Sequence, residues 1–285
     1  MTRILTIVLS LALAAAAHAE LKVAALHPLI ADLARQVGGK NVEVVSLIKP
    51  GMEVHHFEPT SKDISSLKGV SLVLASGKGL ENYLGKLGDS LGATANIIEV
   101  GKTIPSLKSP TGSLDPHWFH SPDSMKRAAR VLADTFSEAD PANAATYKAN
   151  SLAAGKHIDE IKSWAQRQLS QIPKSERVLV SAHAAFAYFC KDFGFKAIPI
   201  LGLQAQDEVS PKEMMEAIPA IRASHVRAVF PEEQANPKLL SEIARETGVK
   251  FGTPLNADGN GLGAGSTFEG VIRQNVESIV KALKP

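Results

Sequence analysis

A single cysteine, Cys190, in 285 residues excludes an internal disulfide and any cysteine-built metal cluster. Aromatic residues are only 5% of the chain, which argues against an aromatic-lined cleft for an organic ligand or an iron chelate. Neither sign of charge dominates. Lys plus Arg number 31 against 29 for Asp plus Glu, whereas a nucleic-acid surface usually needs a concentrated basic face. Beyond residue 17 no apolar run approaches the 20 or so residues of a membrane span. There is no HExxH pair, the helix-borne signature of many zinc hydrolases. What remains is an ordinary globular composition, 45% hydrophobic and 21% charged, long enough for about two domains. Its chemistry rests on nine histidines.

Residues 1–19 read MTRILTIVLSLALAAAAHA. A basic Arg3, an apolar run over residues 4–17 and Ala17-His18-Ala19 form an export signal with its cleavage site. The expectation is a mature, soluble periplasmic protein starting near Glu20. No cysteine follows the apolar run to carry a lipid anchor.

The rest alternates β-rich runs with helical patterns. Strands are expected at residues 22–26, 42–48, 72–75 and 96–100, with helices at 28–37, 61–67 and 80–91. A second series has strands at 177–181, 197–201, 228–230 and 249–255, with helices at 184–193, 211–223, 237–247 and 267–283. Such alternation predicts an α/β protein of two lobes, residues 20–139 and 174–285, each with a parallel four-stranded sheet flanked by helices. The lobes are bridged by residues 140–173, where an uninterrupted helical pattern over 141–172 predicts one rigid rod of roughly 45 Å. Tyr147, Ala154, Ile158, Ile161, Ala165 and Leu169 share its apolar face.

Ligands of open parallel sheets bind beyond the carboxyl ends of strands. Metal-capable side chains stand just past four of the expected strands: His55 and His56, His117 and His120, His183, and Asp258. Imidazole and carboxylate suit a borderline divalent ion. Position alone leaves the choice between neighbouring histidines open.

The motifs narrow it. PGMEVHHFEPTSKDI, DPHWFHSP, SAHAAFAYFCKDFG, VFPEEQANPK, NADGNG and STFEGVIRQNVESIVKAL occur in an order that resembles the substrate-binding proteins of zinc- and manganese-type metal-ion ABC importers. The resemblance implies a metal clamped between two lobes, an ABC membrane permease as partner, no enzymatic activity and a monomeric carrier. It matches the family's ligand positions to His55, His117, His183 and Asp258. His56 and His120 stand beside these as alternative ligands. Glu58 is a candidate to hold an imidazole from behind, and Glu232 a reserve oxygen ligand. The loop 106–113 is short and lacks the histidines with which some zinc-specific members gather metal. Three imidazoles and one carboxylate favour Zn2+ over Mn2+ by softness and by the affinity order of divalent ions. Mn2+ or Fe2+ in the same importer class, and an exported zinc hydrolase, are the alternatives.

Overall fold

The computed structural model describes residues 20–92, 96–109, 112–203, 218–219, 221–223, 226–233 and 235–285. The export signal, most of the helix expected at 211–223, and His225 lie outside the described residues.

The first lobe contains β1 (Leu21–Ala25), α1 (Pro28–Gly38), β2 (Val42–Ser46), α2 (Ser61–Ser66), β3 (Leu72–Ala75), α3 (Leu84–Leu91), β4 (Ile97–Glu99) and α4 (Pro122–Ala139). All its strands are parallel, in the order β2-β1-β3-β4, with Val23 opposite both Val44 and Leu72. The second lobe contains β5 (Val178–Ser181), α6 (Ala187–Phe193), β6 (Lys196–Pro199), β7 (Ala228–Phe230), α7 (Lys238–Thr247), β8 (Lys250–Phe251) and α8 (Phe268–Leu283). Its order, β6-β5-β7-β8, repeats the first. The central strands β3, β5 and β7 are buried throughout, as continuous apolar runs covered on both faces should be. The two-lobe fold follows the sequence pattern.

Between the lobes runs α5 (Ala144–Leu169), whose buried face comprises Tyr147, Ser151, Ala154, Ile158, Ile161, Ala165 and Leu169. It is shorter than the expected rod, 26 residues or about 39 Å. A separate 3-10 turn, Pro141–Asn143, precedes it, because Asp140 takes hydrogen bonds from Asn143 Nδ2 and the Tyr147 hydroxyl. Gly155 does not break the helix.

Other boundaries shift for identifiable reasons. The helix expected from residue 80 starts at Leu84, since Glu81 turns inward to accept the Ser76 and Gly77 N–H groups. The helix expected from 184 starts at Ala187, leaving 182–186 as the turn that presents His183. The last strand is only Lys250–Phe251, with an isolated bridge from Leu255 to Glu232; Pro254 between them has no N–H for a ladder.

The larger apolar core does not stop at the lobe boundary. It joins β1, β3, α1 and α4 to α5, and continues into α6 and α8 of the second lobe. A smaller core around Val180, Val229, Leu240 and Ile243 lies under the second sheet.

Candidate metal site

Each candidate side chain is placed by a loop at the carboxyl end of a strand. After β2 the chain turns through Gly51, at φ +86°, and Glu53 accepts the His55 N–H at 2.8 Å and the His56 N–H at 2.5 Å. These bonds set the loop so that His55 points inward while His56 faces solvent. After β4, Asp115 accepts the His117 N–H at 2.9 Å with Oδ1, and the same oxygen lies 2.8 Å from His117 Nδ1. After β5, Glu232 does the same for His183. One oxygen accepts the His183 N–H at 3.0 Å and the other lies 2.5 Å from its Nδ1. In the neutral imidazole a carboxylate against Nδ1 holds the proton there and leaves the Nε2 lone pair for an ion.

The Asp258 loop is built by asparagines. Asn256 Nδ2 donates to Gly265 O at 2.7 Å and its Oδ1 accepts the Gly259 N–H at 2.8 Å. Asn275, on α8, holds both the N–H and the carbonyl of Asn256. Gly259, at φ +63°, leaves no room for a side chain: a Cβ there would lie 2.5 Å from Leu29.

The four side chains converge. His55 Nε2 lies 3.1 Å from Asp258 Oδ1 and 3.4 Å from His117 Nε2. His117 Nε2 lies 3.3 Å from His183 Nε2, and Asp258 Oδ1 lies 3.8 and 3.6 Å from those two nitrogens. All four donor atoms fall within 4.8 Å of one another. None of the four residues is more than 4% exposed. Four donors about 2.0–2.1 Å from a central ion and tetrahedrally disposed would be roughly 3.3–3.4 Å apart. The set is thus the right size for one bare ion, and too tightly drawn together to admit an organic ligand.

The charges are tuned to this arrangement. Burial alone would lower the His183 pKa, but Glu232 and Asp258 outweigh it and raise it to about 10. Burial lowers that of His117 despite Asp115. Asp258, whose burial would raise it, is held well below the usual carboxylate range by His183 and His55.

The remaining candidates stand elsewhere. His120 is buried, but its Nε2 lies 2.5 Å from Ala257 O and its ring packs against Phe186. It grips the backbone next to Asp258 rather than joining the donor cluster. Glu232 is behind His183, so the imidazole, not this carboxylate, faces the cluster. Glu58 is exposed, and the carboxylate that orders this loop is Glu53, which holds backbone N–H groups rather than an imidazole. His27 caps α1 by accepting the Leu29 N–H, with its ring 4.6 Å from that of Phe119. His157 pairs with Glu269 at the surface. Sequence reasoning gave Asp115 no role, although a carboxylate two residues before a histidine across Pro116 was a readable signal.

A profile of the family described as the periplasmic zinc-uptake complex component A matches residues 23–282. The manganese-binding lipoprotein MntA of Bacillus subtilis (strain 168) is 33% identical over 282 residues, 94% of this chain and 91% of that protein. The iron-binding protein YfeA of Yersinia pestis is 30% identical over 265 residues, 91% and 85% of the two chains. Among solved structures, the periplasmic zinc-binding protein TroA from Treponema pallidum superposes with a TM-score of 0.86 at 24% identity, covering 94% of this chain and all of that one. That likeness speaks for the fold.

Proposed function

The chain belongs to the periplasmic zinc-uptake complex component A family, and from that premise we propose that it captures one Zn2+ ion between its lobes and delivers it to the permease of an ABC importer. The coarser part is settled by membership: this is an extracytoplasmic metal-binding component of an ABC importer, not an enzyme. The hydrolase alternative is dropped.

His55, His117, His183 and Asp258 are the proposed ligands, contributed by 20–139 and 174–285 as separate lobes linked through 140–173. The observation that carries this reading is the donor spacing, five of the six pairs lying 3.1–3.8 Å apart and all within 4.8 Å, close to the edges of a tetrahedron around a zinc-sized ion. Nitrogen donors outnumber oxygen donors, which favours Zn2+ over Mn2+. A second reading, Mn2+ or Fe2+, is supported by the names of MntA and YfeA and by the second oxygen of Asp258, which could enlarge the coordination number.

MntA is named a lipoprotein, whereas Cys190 of this sequence is buried on α6. We read residues 1–19 as a cleaved export signal and the mature protein as a periplasmic monomer. No helix among the described residues is long and apolar enough to cross a membrane.

The test begins with elemental analysis of protein purified from its native compartment, followed by equilibrium dialysis after chelation. One zinc per chain supports the reading. Retained manganese or iron selects the second one, and no retained ion overturns both. Cobalt substituted into the site should absorb with the intensity of four-coordinate geometry; a weak six-coordinate spectrum would argue for the manganese reading.

A further inference from the structure

Asp258 belongs by sequence to the second lobe, yet its loop is fastened to the first. The fastening centres on Asn260, which is 1% exposed. Its Nδ2 donates to Met52 O at 2.6 Å, and its own carbonyl accepts the Gly51 N–H at 2.5 Å. One asparagine therefore closes a two-bond ring with the backbone of the loop that carries His55. The ring lies two residues from one proposed ligand and three from the other. Leu262 Cδ2 lies 3.4 Å from where a Gly51 side chain would begin. His120 at Ala257 O and Leu29 at Gly259 hold the same loop from within.

The proposed ion can leave only when its donors part. His55 and Asp258 lie 3.1 Å apart, and each sits on one of the two loops that Asn260 joins. Separating those loops breaks both bonds and leaves their two donors and two acceptors without these partners.

We propose that Asn260 is a positioning residue that latches the His55 and Asp258 loops together and so sets how long the ion stays bound. This rests on the metal-binding reading above. The latch acts on dissociation, because the four donors themselves are unchanged by its loss. Removing the side-chain bond should speed release about fivefold, the kinetic equivalent of one net hydrogen bond of about 1 kcal/mol.

The experiment is stopped-flow release of Zn2+ to a chromophoric chelator from wild-type protein and from Asn260→Ala and Asn260→Leu. Cobalt absorption of the same proteins reports whether the ligand set is intact. Faster release with an unchanged cobalt spectrum and little change in the association rate supports the latch, since a general loss of structure would disturb the spectrum too. Release at the wild-type rate overturns it while leaving the metal-binding reading in place. Wild-type protein that retains no ion overturns both. Should neither variant fold, hydrogen exchange at the Gly51 amide of zinc-loaded wild-type protein decides. Strong protection relative to the ion-free protein supports the latch, and exchange at the rate of an open loop overturns it.

Discussion

Glu232 Oε2 lies 2.5 Å from His183 Nδ1, although the two residues are 49 positions apart and arrive on neighbouring strands. This contact decides which ring nitrogen of His183 is free. Replacing Glu232 with Gln keeps the volume but can turn an amide N–H toward Nδ1. The imidazole then carries its proton on Nε2, where the ion should sit. Glu232→Gln should weaken zinc binding by roughly 10–100-fold. Asp115→Asn should do the same through His117. Competition against a chelator of known affinity measures both; wild-type affinity in either variant would show that the partner does not fix the tautomer.

Zinc binding should expel a proton even above neutrality. In the ion-free protein the pKa of His183 stands near 10, so it is protonated at pH 8. Coordination through Nε2 requires that proton to leave. Affinity should keep rising from pH 7 toward 10 with a slope near one proton, where an imidazole at its ordinary 6.5 would give none. Calorimetry at pH 8 in buffers of different protonation enthalpy should show about one proton released per ion. No buffer dependence would contradict the charged state of His183.

Ion-free protein should be most stable near pH 6–7. Burial pushes the pKa of His27 down to about 3 and that of His120 down to about 4. The unfolded chain takes those protons near 6.5, so their contribution is present above 6.5 and lost as pH falls through the folded values. Glu81 opposes them. Its pKa is raised to about 7 by burial, so its contribution is present below 4.5 and lost as pH rises through 7. His183 behaves likewise, losing its contribution as pH rises toward 10. Between pH 6.5 and 4.5 the unfolded chain takes protons on His27 and His120, with His117 shifted the same way by burial, against the one that folded Glu81 holds, leaving a net loss on acidification. Urea midpoints between pH 8 and 4.5 check the sign, and a midpoint that rose steadily toward acid would refute it.

Not every histidine near the site should matter. His56→Ala and Glu58→Ala alter exposed side chains outside the donor cluster, and zinc affinity should stay within about twofold of wild type. His120→Ala removes the grip on Ala257 and should weaken binding several-fold without changing the cobalt spectrum. A spectral change in His120→Ala would make His120 a ligand.

The two sheets were legible because their central strands are uninterrupted apolar runs that alternate with helical patterns. The four candidate positions were legible because parallel strands deliver their loops to one end. What escaped was chemistry between loops. Glu232 looked like an oxygen ligand because sequence does not show that His183 stands in front of it. Glu58 was the acid noticed beside His55, yet the turn at Gly51 brings Glu53, two residues before His55, to the two N–H groups. The early end of β8 and the late start of α3 came from single residues, Pro254 and Glu81, overriding a favourable local pattern.

The last helix, α8, packs on α5 and α1, and the Phe268 N–H at its start donates to Asp32 of α1. Val271, Ile272, Val276 and Leu283 share one core with Val23, Leu29 and Leu74. The core that opens with the first strand is therefore completed by the final sixteen-residue helix of the chain. Such long-range closure slows folding, because chain entropy is lost before the rewarding contacts form. A polypeptide growing from a ribosome cannot finish its first lobe until nearly all of it has been made. It would stay loosely structured through synthesis.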